Sequence, residues 1–110
     1  MNDANYLIKQ FKTPDAEYEP VVMWFWGDMP TEDGITFQME QFRSQNIINF
    51  FVHPAGCDIE YLSDRYMELI QHVVKEAKRL GMYYWIYDEY DYPSGIAGGK
   101  LIQVQNGRYF

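Results

Sequence analysis

Three acids stand within four positions of the segment Tyr87-Asp88-Glu89-Tyr90-Asp91-Tyr92, interleaved with tyrosines. Carboxylates accept hydrogen bonds from sugar hydroxyls, while aromatic rings cover the apolar C–H faces of a pyranose. Carboxyl groups also serve as general acid, general base or nucleophile when their surroundings separate their pKa values. Glu89 and Asp88 are therefore the candidate catalytic carboxylates, with Tyr87 and Asp91 as candidate substrate contacts. The plainer alternatives are a solvated acidic loop, a cap on a following helix, or, for Asp88, an anchor for neighbouring backbone N–H groups. His53 offers a proton donor or a sugar ligand, or simply holds the next strand end. Trp24 and Trp26 offer a stacking platform or core packing, with Trp24, deeper in its strand, closer to the core. Asp28 follows them as a further polar contact. Pro93-Ser94-Gly95 and Gly98-Gly99 give backbone that approaches a ligand edge closely.

These groups need a scaffold, and the apolar pattern supplies one. Val21-Val22-Met23-Trp24-Phe25-Trp26 is six large apolar residues in a row before Gly27, the pattern of a strand buried on both faces. Thr31 then caps a helix expected over residues 31–45, with Glu32 and Asp33 in its first turn and Asn46 as a left-handed stop. Residues 47–52 form a second apolar strand that runs into His53-Pro54. Ser63 or a neighbour starts the clearest helix, whose apolar face carries Tyr66, Leu69, Ile70, Val73, Val74, Ala77 and Leu80. Lys75, Lys78 and Arg79 gather near its end and Gly81 stops it. Residues 82–87 are the third strand. Residues 1–20, broken by Pro14 and Pro20, are expected to be an arm of little regular structure, with at most a short strand or turn at residues 6–11. Residues 21–110 are the second unit.

The order β-α-β-α-β with helical crossovers predicts an α/β fold with a parallel sheet. Both a doubly wound open sheet and a (β/α)₈ TIM barrel use this unit. The G-x-G-x-x-G fingerprint and the P-loop are absent, which disfavours a nucleotide-binding open sheet. Alternation favours the barrel. Asn49, Phe51 and His53 oppose Ile48, Phe50 and Val52, while Tyr83, Trp85, Tyr87 and Glu89 oppose Tyr84, Ile86 and Asp88. In the first strand Val22, Trp24, Trp26 and Asp28 oppose Val21, Met23 and Phe25. One face of each strand grows polar toward its C-terminal end, where barrel enzymes build their sites.

Composition excludes several other functions. Forty-seven per cent of residues are hydrophobic and 18 % aromatic, too apolar for disorder. A net charge of −7 argues against nucleic acid as a partner. No apolar run approaches the ~20 residues of a membrane span, so no membrane partner is expected. The residues after Met1 lack a basic stretch followed by an apolar one, so the expected location is cytoplasmic. A lone cysteine, Cys57, makes no internal disulfide and is expected as a buried thiol. With two histidines it falls short of the four N/S ligands of a structural zinc site, so no metal site is expected from the residues.

Several segments together carry a resemblance. These are Pro20-Val21-Val22-Met23-Trp24-Phe25-Trp26-Gly27-Asp28, Val52-His53-Pro54, Leu80-Gly81, Trp85-Ile86-Tyr87-Asp88-Glu89 and Pro93-Ser94-Gly95-Ile96-Ala97-Gly98-Gly99-Lys100. In that order and spacing the chain resembles the start of the catalytic barrel of bacterial glycoside hydrolases related to the family 106 α-L-rhamnosidases. The resemblance implies a hydrolase of O-glycosidic bonds in polysaccharide side chains, with a carbohydrate substrate and, in some relatives, calcium. Tyr90-Asp91-Tyr92 departs from the Asp-Gly-Trp or Asp-Gly-Phe commoner there, which bears on loop shape and sugar preference.

A complete (β/α)₈ barrel takes about 250 residues. The expected architecture is thus a partial TIM barrel truncated after about three strands and lacking the C-terminal part of the barrel. By analogy with barrel glycosidases the full catalytic pair follows later strands, so the chain alone is expected to be inactive and Asp88, Glu89, His53 and Trp26 to position substrate. The rival expectation is a small complete α/β binding module that forms a homo-oligomer to cover its sheet.

Overall fold

The chain opens with a helix where an irregular arm, strand or turn is expected: α1 spans Ala4–Lys12. Asp3 caps it by accepting a hydrogen bond from the Asn5 N–H at 3.3 Å, and Lys9 and Lys12 sit in its last turn, where the helix dipole favours cations. Leu7, Ile8 and Phe11 share one stripe, yet no residue of α1 is buried. Local capping and helical spacing outweigh the polar composition that suggested a loop. The Gln10 side chain then bonds both the backbone N–H and the carboxylate of Asp15, and a short 3₁₀ turn follows at Ala16–Tyr18. The computed structural model describes residues 3–90 and 94–101.

The rest of the described chain follows the expected alternation. Strand β1 is Val21–Phe25, helix α2 Glu32–Ser44, strand β2 Asn49–His53, helix α3 Asp64–Leu80 and strand β3 Tyr83–Tyr84. Each helix end has its chemical cause. The Thr31 hydroxyl accepts from the Gly34 N–H at 3.1 Å and Ser63 accepts from the Tyr66 N–H at 3.2 Å. Asn46 adopts φ 61° and Gly81 φ 66°, the left-handed turns that end α2 and α3. After Gly81 the Met82 N–H returns to the Ala77 carbonyl at 2.8 Å, closing the last carbonyls of α3.

The strands are parallel in the order β1-β2-β3. Val21 lies beside Asn49 and Phe25 beside His53, while Asn49 lies beside Tyr83. Crossovers of one hand between successive neighbours deliver both helices to the same side of the sheet. The core sits there: Trp24, Phe50 and Val52 of the sheet meet Ile35 and Met39 of α2 and Leu69, Val73 and Ala77 of α3. Across the helix pair, Thr36 Oγ1 lies 2.8 Å from His72 Nε2, and Arg79 bonds both Glu76 and Glu40.

The opposite face is covered only at its N-terminal end, where Asn49 donates to the Ala16 carbonyl at 2.6 Å and accepts from the Trp85 indole N–H at 3.2 Å. Beyond that it is open, which corrects the expectation that β1 is buried on both sides. Val21, Met23 and Phe25 are exposed, Phe25 by 58 %. The third ladder is also shorter than the expected 82–87. Its last bond runs from the Trp85 N–H to the Phe50 carbonyl at 2.8 Å, and Ile86, expected on the helix side, is 91 % exposed. No helix among the described residues is long and apolar enough to cross a membrane.

The two faces should respond differently to truncation. Leu69→Ala should lower the unfolding free energy by about 2–5 kcal/mol in urea titrations, the cost of a buried leucine. Phe25→Ala should cost about 1 kcal/mol, the worth of its ring contact with His53.

Candidate functional site

At the C-terminal ends of the strands, four side chains form a row on the bare face. Parallel register sets Phe25 beside His53, and their rings stack at 4.9 Å between centroids with planes 23° apart. The Tyr87 ring lies 5.0 Å from His53 and 4.8 Å from Phe51. The Tyr87 hydroxyl donates to Glu89 Oε2 at 2.9 Å. A carboxylate, a phenol, an imidazole and a phenyl ring thus run in sequence across the tips of the sheet.

The polar groups in the row have defined roles. His53 Nδ1 accepts a hydrogen bond from the Ala55 N–H at 3.0 Å. The neutral ring therefore carries its proton on Nε2, an assignment made from this bond. Glu89 accepts from Tyr87, and that bond, ahead of partial desolvation and the nearby acidic charge, holds the Tyr87 phenol above its ordinary pKa. The row thus offers a carboxylate acceptor, an imidazole N–H donor and aromatic faces.

Other candidates take other places. Trp24 and Trp26 lie on the helix side, 6 % and 4 % exposed. Trp24 donates its indole N–H to Gln38 Oε1 at 2.8 Å and packs edge-on against Phe42 and Trp26. Trp26 packs on Tyr66, and its own indole N–H has no partner among the described residues. Both indoles occupy the core position rather than joining the row; Phe25, between them in sequence, is the β1 residue that reaches it. Asp28 is exposed in the β1–α2 loop, beside a cleft of about 200 Å³ that Trp26, Thr31 and Gln38 also line. Asp88 is exposed, and its backbone carbonyl accepts from the Tyr61 hydroxyl at 3.3 Å. Asp91 lies outside the described residues. Cys57 is buried.

Phe25 and Phe51 carry no functional signature in the sequence. The available signal is parity: in a parallel pair, the β1 residue in register with His53 shares its face, and His53 marks the site face of β2. Among the described residues no group of three or more His, Cys, Asp or Glu side chains is placed to hold a metal ion, so the calcium implied by the resemblance has no ligand cluster there. No known protein family, curated protein or solved structure matches the chain.

Replacing Glu89 by Gln keeps the shape of the Tyr87 contact and removes its charge. The Tyr87 phenol should then titrate lower, toward the ordinary tyrosine value, by NMR of ¹³C-labelled tyrosine. An unchanged titration would mean that the bond does not form in solution.

Proposed function

We propose that the chain is a three-stranded part of a glycoside hydrolase (β/α)₈ barrel, related to the family 106 α-L-rhamnosidases, that contributes its saccharide-binding rim. The observation that carries this reading is the Phe25–His53–Tyr87–Glu89 row at the C-terminal strand ends. Sequential parallel strands with both helices outside are the arrangement of barrel staves, and the bare apolar face suits an interior. The row itself suits a sugar. Glu89 accepts hydroxyl protons, His53 Nε2 donates to a ring or hydroxyl oxygen, and the aromatic faces cover C–H groups.

Hydrolysis in such an enzyme passes through an oxocarbenium-like transition state flanked by two carboxyl groups. Glu89 is the candidate for one of them, since it stands in the row. Asp88, exposed outside the row, does not face it, so an acid from another stave supplies the second. A separation of roughly 5–5.5 Å leads to retention, and a wider gap that admits water leads to inversion.

Titration with methyl α-L-rhamnoside tests the reading. Binding should shift the NMR resonances of His53 and Tyr87, and Glu89→Gln or His53→Ala should weaken it about tenfold, the worth of one charge-assisted bond. Saturating pyranosides that leave His53 and Tyr87 unmoved would remove the saccharide reading. The bare face also supports the second reading, a module whose copies cover each other's sheets. Sedimentation separates the two: a discrete dimer with cooperative unfolding favours the module, and a monomer favours the stave.

A further inference from the structure

The loop that carries Glu89 is held from outside the row by a single buried ring. Tyr61, in the β2–α3 loop, donates its hydroxyl to the Asp88 carbonyl at 3.3 Å and stacks on Tyr90 at 5.2 Å with planes 19° apart. One side chain thus grips both neighbours of Glu89. Tyr61 fixes the backbone before Glu89 through the Asp88 carbonyl and the residue after it through the Tyr90 ring, so the chain on both sides of Glu89 is held and its side chain has a restricted set of directions. Glu89 meets Tyr87 at 2.9 Å.

The grip has two further anchors. Tyr61 packs edge-on against Tyr66 of α3 at 5.2 Å, which ties it to the core. Gly98, at φ +62°, passes so close that an added Cβ would lie 2.7 Å from Tyr61 Cδ1 and 3.5 Å from Tyr90. Only glycine fits there on both counts. Lys100 Nζ then bonds Glu60 Oε1 at 2.7 Å, so the glycine-rich turn closes over the same loop.

We infer that Tyr61 is the positioning residue of this site: by gripping Asp88 and Tyr90 it turns Glu89 toward Tyr87 and the strand-end row. The role of Glu89 toward a ligand rests on the saccharide reading above; its orientation by Tyr61 does not. Neither the motif around Glu89 nor the strand pattern assigns Tyr61 any part in the site.

The test follows Tyr87 by ¹³C-tyrosine NMR titration in Tyr61→Phe, which removes only the hydrogen bond to Asp88, and in Tyr90→Leu, which removes the stack from the loop side and leaves the Tyr61–Tyr66 contact in place. Glu89→Gln sets the scale. Each variant should show at least half of the downward Tyr87 shift seen in Glu89→Gln, and each should weaken methyl α-L-rhamnoside binding severalfold. A merely structural Tyr61 would lower the melting temperature and leave the Tyr87 titration where it is in the parent chain. If neither variant moves it, the inference is overturned. If both move it while the parent chain binds no pyranoside, the positioning stands and the saccharide reading falls.

Discussion

Three parallel strands paired in chain order cannot place their connecting helices on both sides of the sheet without changing the hand of a crossover. That constraint organises the molecule. It stacks α2 and α3 on one face, where Phe50, Met39, Leu69 and Val73 are fully enclosed. It leaves most of the other face uncovered beyond the buried Asn49, although Met23, Phe25, Tyr83 and Trp85 stand on it or at its edge. Apolar surface of that kind on a parallel sheet calls for a cover, whether further staves or a second copy. The row at the strand tips is the polar end of that face. Its order follows from register, because β1 and β2 align Phe25 with His53 before any loop geometry enters.

The same register decides what the aromatic residues of β1 do. Phe25 and the two tryptophans differ by one step of parity, and that step separates solvent from core. On the inner side the indoles fill the wide gap between sheet and helices, Trp24 resting edge-on against Phe42, Phe50 and Trp26. Its N–H is satisfied by Gln38. The Trp26 N–H finds no partner among the described residues, and the packing of its ring must outweigh that cost. An exposed stacking platform would need neither this enclosure nor the edge contacts.

Much of the fold is legible from single residues because their roles are local. Thr31, Asn46, Ser63 and Gly81 each mark a helix end through the geometry their side chain, or its absence, permits. The parity of β1 reads the wrong way, because Asp28 at its end marks the Trp24 and Trp26 side as the polar one, whereas the indoles face the helices and Phe25 faces the row. Helix α1 is not legible, because it rests on one capping aspartate and a short stripe with no buried partner. His53, Tyr87 and Glu89 stand out in the sequence as polar groups at strand ends. Tyr61 does not, because its part depends on a loop folding back across a distance of some 30 residues to meet Asp88 and Tyr90. Contacts of that kind have no sequence period.

On the saccharide reading, the charges narrow the ligand further. The chain carries a net charge of −7, and the charged member of the described row is a carboxylate. Arg65 is engaged with Glu32 and Glu68, Arg79 with Glu40 and Glu76, and Lys100 with Glu60, all away from the row. A phosphorylated or uronic sugar would meet the like charge of Glu89 there. A neutral sugar meets no such repulsion, and its hydroxyls give Glu89 the donors that water otherwise supplies.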